Sequence, residues 1–280
     1  MACADQPPPP TLYTAAQLNS TAVPASTDDD FGPPPAPPAP YVAPEAPPPP
    51  PRARVRVLHA NTDRAAASVD VYLGTVATPV ASAVAYKSLV GPVEAPTGEH
   101  DVAVRVAGAA NTAAPAIAGR TPALEDDTQY TAIAFGAGGT SARLAFAHDD
   151  LDAPDAGTSR VRFFHALNGT LSVDLCTVAA PGRPARAVFA NVAFGAFGDY
   201  TAVPAGGPLT LQIRARGPAA ARPCSGPLRG SVSVTVPDGA VLTAVAVGRP
   251  AGPNPVPREL LVCTDRVAEG PPSCTAVAIR

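Results

Sequence analysis

The feature that most constrains this chain is an internal duplication. RVRVLHA (54–60) returns as RVRFFHA (160–166), and SVDVYL (68–73) returns as SVDLCT (172–177). SAVAYKSLVGPVEAPTGEHDVAVRVAG (82–108) runs alongside ANVAFGAFGDYTAVPAGGPLTLQIRARG (190–217), and YTAIAFG (130–136) alongside LTAVAVG (242–248). The offset widens along the chain as loops lengthen in the second copy. A period of about 100 residues is too long for a solenoid, whose repeats run to roughly 20–50. Each copy is domain-sized and consists of short alternating segments separated by Gly, Pro, Asn and Asp, the pattern of roughly seven short strands. The expected fold class is therefore all-β, with two tandem antiparallel β-sandwich domains at 53–152 and 159–280. Between them DDLDAPDAGTS (149–159) is polar, acidic and rich in turn formers. It is short enough for the two units to pack together rather than swing freely.

Residues 1–52 are a different material, with 17 of the chain's 37 prolines in runs such as PPPP (7–10), PPPAPPAP (33–40) and PPPPP (47–51). Such a segment buries too little apolar surface to offset the entropy of ordering it, and is expected to be a disordered or polyproline-II-like tether. The first residues, Met1-Ala2-Cys3-Ala4, carry no apolar leader region but resemble the start of a bacterial lipoprotein after its signal, which makes Cys3 a candidate for lipidation. An incidental near-terminal cysteine is the alternative. No stretch is apolar and long enough to cross a membrane as a helix. Net charge is −3 and Arg outnumbers Lys overwhelmingly, Lys87 being the one lysine, so a nucleic-acid partner has no broad electrostatic support.

Setting Cys3 aside leaves Cys176, Cys224, Cys263 and Cys274, an even set confined to the second copy. Three pairings are open. Cys176–Cys224 with Cys263–Cys274 is favoured, because the latter two flank a short Glu-Gly-Pro-Pro turn. Loop-closure entropy gives the first about 4 kcal/mol and the second about 3. The spacing is not that of a zinc site. The set points to an oxidising, extracytoplasmic compartment, either periplasm or cell surface.

The residues with chemical potential are His59 and Asp70 in the first copy and His165 and Asp174 in the second. Alternate strand residues share a face. Val55, Val57 and His59 therefore form one row, and Val161, Phe163 and His165 its equivalent, as half-buried core histidines would. Asp70 opposes Val69 and Val71, and Asp174 opposes Val173 and Leu175, so His and Asp point apart. A catalytic triad also lacks a placed nucleophile, since there is no GxSxG elbow. These four residues read as a structural signature, and no catalytic residue is assigned. Asp149, Asp150 and Asp152, close to His148, are weak metal candidates, weighed against a solvated interdomain linker. The glycines of FGAGGT (135–140) and AFGAFGDY (193–200) read as turns and bulges rather than phosphate cradles. RARVR (52–56) reads as a polar outer strand face. Tyr72, Tyr86, Phe194, Phe197 and Tyr200 are the candidates for exposed ring contacts, with ordinary packing as the alternative. No cofactor is expected.

The order RVRxxHA, VDVY, AY or AFG, PxG before a VxVR strand, then YTAxAxG resembles the bacterial domain-of-unknown-function family 4397. Two tandem copies would cover about 53–266. The resemblance implies an exported or cell-surface β domain and supplies no catalytic residues to carry over. Copy two departs from copy one at Cys176, where copy one has Tyr72, so the disulfides are an addition of this chain. The resulting expectation is a non-enzymatic extracytoplasmic envelope protein with a structural, adhesive or scaffolding role. Its partner would be an unknown envelope or extracellular component, and it would touch the membrane only through a lipid on Cys3. The alternative is a secreted binding module for glycan, peptide or Ca²⁺.

Overall fold

A computed structural model describes residues 49–178, 185–216, 222–252, 254–266 and 272–280. The expected tether, Cys3 and the turn between Cys263 and Cys274 lie outside the described residues, except for 49–52 and Pro272.

The first copy contains β1 (Arg52–Asn61), β2 (Ser68–Leu73), β3 (Ala81–Ala85), β4 (Leu89–Pro96), β5 (Asp101–Val106), β6 (Ile117–Arg120), β7 (Gln129–Gly136) and β8 (Arg143–His148). The second contains β9 (Thr158–Leu167), β10 (Ser172–Thr177), β11 (Ala187–Ala193), β12 (Phe197–Pro204), β13 (Pro208–Ala215), β14 (Leu228–Thr235), β15 (Val241–Arg249), β16 (Val256–Thr264) and β17 (Cys274–Ala278). Each copy is a sandwich of two sheets. The first pairs β4-β1-β7-β8 with β3-β2-β5-β6, and the second pairs β12-β9-β15-β16-β17 with β11-β10-β13-β14. The two copies thus repeat strand for strand, and β17 is the single addition among the described residues.

The sheets are mostly antiparallel, but among the described residues each copy contains one parallel pair, β1 with β7 and β9 with β15. The chain reaches this pairing by leaving the first sheet, building most of the second, and crossing back. Loop composition cannot reveal such a crossover, which is why the expected antiparallel sandwiches came without a strand order.

Alternation along the strands builds two internal cores. Val55, Val57, Val69, Val71, Val102, Val104 and Ile117 fill the first. Phe163, Leu175, Phe189, Ile213, Val232 and Leu260 fill the second. A third cluster belongs to neither copy alone. Leu58, Ala60, Ile133 and Phe135 from the first copy pack on Phe164, Ala166, Val245, Val247 and Leu261 from the second. The outer faces of β1–β7 and β9–β15 are therefore covered by each other. This explains why β7 and β15 are buried at all or nearly all positions and are rich in small residues. At Gly195 (φ +80°) an added Cβ would lie 2.5 Å from the ring of Phe135 in the other copy. Close approach, rather than a phosphate cradle, is what this glycine permits.

Candidate functional site

Both histidines lie on their expected faces but are wholly buried rather than half-buried. Nδ1 of His59 accepts from the Asn61 N–H at 3.4 Å, and Nε2 donates to the Ala66 carbonyl at 2.6 Å. His165 repeats the pattern with the Leu167 N–H at 3.2 Å and the Thr170 carbonyl at 3.2 Å. One ring nitrogen must accept and the other donate, so each ring is neutral with its proton on Nε2. Burial depresses both histidines below the usual imidazole range, with the carbonyl bond opposing it, and His165 falls to about 4. The rings clamp the end of β1 and of β9 to the adjoining turn.

The aspartates hold other loops. Asp70 accepts from the N–H groups of Ala83 (2.8 Å) and Gly108 (2.9 Å). Asp174 accepts from Asn191 (2.7 Å) and Cys224 (2.9 Å) and pairs with Arg216 at 3.3 Å. Ala83, Asn191 and Cys224 all have positive φ, so each aspartate fixes strained bends through a charged acceptor. No bond joins His59 to Asp70 or His165 to Asp174 among the described residues.

A polar cluster missed by the sequence reading lies at the junction between copies. Arg56 and Arg162 are only 1% and 2% exposed, so the outer face read from RARVR holds at Arg52 and Arg54, which are exposed, but at Arg56 is an interior. Arg56 departs from the expected face because a second domain, not solvent, covers that part of β1. Arg56 donates to Asp149 (2.8 Å), Asp265 (2.9 Å) and Thr131 (2.7 Å). Arg162 donates to Asp149, to Thr131 (2.9 Å) and to Thr243 (2.8 Å). Gln129 adds a bond to Asp149 at 2.9 Å, and the Tyr200 hydroxyl one to Asp265 at 2.5 Å. Arg56 and Arg162 are equivalent in the repeat, as are Thr131 and Thr243, and Asp149 and Asp265. Each arginine reaches the other copy's aspartate, the reciprocal pattern of a two-fold interface.

Burial pushes the Asp149 carboxyl up, but Arg162 and Arg56, with Gln129 and Thr131, outweigh it and hold the group below the usual carboxylate range. Burial also works against the charge on Arg56, and Asp149 and Asp265 reverse that and raise it. Tyr200 is raised by burial and then by Asp265, so it stays a hydroxyl donor. The signal that could have located this cluster was the recurrence of Arg, Thr and Asp at matched positions of both copies.

Asp149 is therefore a buried ion-pair partner, not part of a solvated linker. Asp150 instead pairs with Arg160, whose hydrogen bond lowers its carboxyl to about 2, and Asp152 is exposed. Among the described residues these three do not converge with other acidic, His or Cys side chains in a metal-holding group. The disulfides pair Cys176 with Cys224 and Cys263 with Cys274. The latter two face each other in register across β16 and β17. Such bonds fit an oxidising, extracytoplasmic environment.

Most of the aromatic candidates are packed. Phe194 stacks edge-on to Phe135 and His165, and Phe197 lies against Phe164. The Arg162 guanidinium lies 5.0 Å from the Phe197 ring and 4.9 Å from the Tyr200 ring. Tyr72 is buried beneath Arg105, at 4.8 Å. Tyr86 is half-buried at a cleft of about 210 Å³ between Asn61–Arg64 and Pro255–Pro257, and burial and Glu259 push its hydroxyl up to about 12.

Comparison with protein families matches residues 53–176 to a model described as Domain of unknown function (DUF4397). That stretch covers the first copy and the opening strands of the second. No curated protein matches the chain.

Proposed function

We propose, from the match of residues 53–176 to the DUF4397 family model, that the chain is a non-enzymatic envelope protein with a structural, adhesive or scaffolding role. In this reading a lipid on Cys3 anchors it outside the cytoplasm, and the Pro-rich segment links that anchor to the sandwich pair. The observation that carries it is the engagement of the polar side chains the duplication repeats. His59, His165, Asp70 and Asp174 hold turns, while Arg56, Arg162, Asp149 and Asp265 join the two copies. Groups so engaged serve a rigid display unit better than turnover.

Fractionation of cells that produce the chain, with maleimide labelling of thiols before and after reduction, tests the compartment. Cell-envelope recovery with Cys176, Cys224, Cys263 and Cys274 unlabelled until reduction is expected. Cytosolic recovery with all four labelled directly overturns it. Thermal unfolding with Ca²⁺ and with a glycan panel tests the role. A cation-dependent rise lost in Asp150→Ala or Asp152→Ala would favour a binding module instead.

A further inference from the structure

The two copies share a frame but not a charge. Over 53–152 there are seven basic residues against eleven acidic, whereas over 159–280 there are twelve arginines against six acidic residues. The strand register shows where the excess lies. Arg216 occupies the place of Ala107, both donating a backbone N–H to the start of the neighbouring strand (Ser172 and Ser68 carbonyls). Arg229 precedes Gly230 as Ala116 precedes Ile117, and those two residues pair with equivalent positions of β13 and β5. Arg258 lies against Gly248 as Ala142 lies against Gly136. Three alanines of the first copy are arginines in the second.

These arginines gather at one end of the second sandwich. Arg258 donates to the Arg229 carbonyl, and Arg280 exchanges backbone bonds with Ser231 (2.7 and 2.9 Å). Arg214 is in register with Leu228, and exposed Arg222 adjoins Cys224, whose N–H reaches the aspartate that Arg216 pairs with. The same end carries the most exposed large apolar side chain among the described residues. Leu171, 89% exposed, sits in the turn before β10 where the first copy has Ala67. Leu228, 51% exposed, opens β14 beside Arg229.

We propose that this end of the second copy is a docking surface for an anionic phospholipid bilayer, with Leu171 and Leu228 entering the interface and Arg222, Arg229, Arg258 and Arg280 holding headgroup phosphates. Exposed leucines within an arginine field suit a surface that is apolar below and anionic above. A soluble polyanion would use the arginines and have no use for the leucines. The inference does not rest on the scaffold reading, since it comes from the difference between the copies.

The test is co-sedimentation of the full chain with phosphatidylcholine vesicles, with and without phosphatidylglycerol, at low and high salt. Binding should require phosphatidylglycerol and weaken with salt. The double variant Arg229→Ala/Arg258→Ala restores the first copy's residues and should weaken binding about thirtyfold, at about 1 kcal/mol for each headgroup contact. Leu171→Ala should weaken it further, and Arg120→Ala, in the first copy, should leave it unchanged. An unaltered unfolding midpoint checks that each variant is folded. No binding to phosphatidylglycerol vesicles overturns the proposal, as does binding indifferent to these variants. So does full competition by soluble polyphosphate together with an inert Leu171→Ala, which would mark a site for free polyanions.

Discussion

Asp149 shows how much a single buried side chain can carry. Its carboxylate faces two guanidiniums at an interior where neither can be hydrated. Asp149→Ala should cost about 3–5 kcal/mol, because it strands buried positive charge rather than merely losing a bond. Urea unfolding of the variant, with an unchanged m-value, measures this. His165 makes a comparable case. His165→Ala should lower stability by about 2 kcal/mol or more, through a cavity and an orphaned Thr170 carbonyl, with the fold retained by circular dichroism. At this scale, the sequence alone placed both histidines on the core row and both repeat aspartates on the opposite face. It could not place Arg56, because parity says which side a residue faces and not what covers that side.

Among elements, β17 depends most visibly on a covalent bond. It is an edge strand absent from the first copy, held to β16 by its ladder and by Cys263–Cys274. Replacing both cysteines with serine should remove about 3 kcal/mol, and the equivalent change at Cys176 and Cys224 about 4. Differential scanning calorimetry of the two double variants should rank them in that order. The pairing was readable from spacing because a short loop brings Cys263 and Cys274 together whatever the wider fold. The parallel contacts β1–β7 and β9–β15 were not readable, since partners so far apart in the chain are chosen by topology rather than by local pattern.

For the whole molecule, the apolar cluster and ion-pair network between the copies should make them unfold together. Calorimetry is expected to show one transition, and Phe135→Ala/Arg162→Ala should separate it into two. Acid should weaken the molecule in a defined window. Both histidines have native pKa values below the unfolded value, so the unfolded chain binds protons first. The contribution of each is complete above about pH 6.5 and is lost as pH falls through its lowered native value, about 4 for His165, where the loss is about 3 kcal/mol. Unfolding midpoints measured from pH 7 to pH 4 should fall, and His165→Ala should flatten the decline.

By itself the sequence determined the duplication, the β class and the faces of the strands, and it favoured one cysteine pairing of three. Each comes from period, parity or short-range closure, which are properties of the local chain. Only the tertiary structure decided that the two outer faces meet, that Arg56 and Arg162 lie in an interior, and that Asp149 belongs to them rather than to a solvated loop. Burial of an outward face depends on what a distant segment brings against it, and alternation reads the same whether that face meets water or another domain.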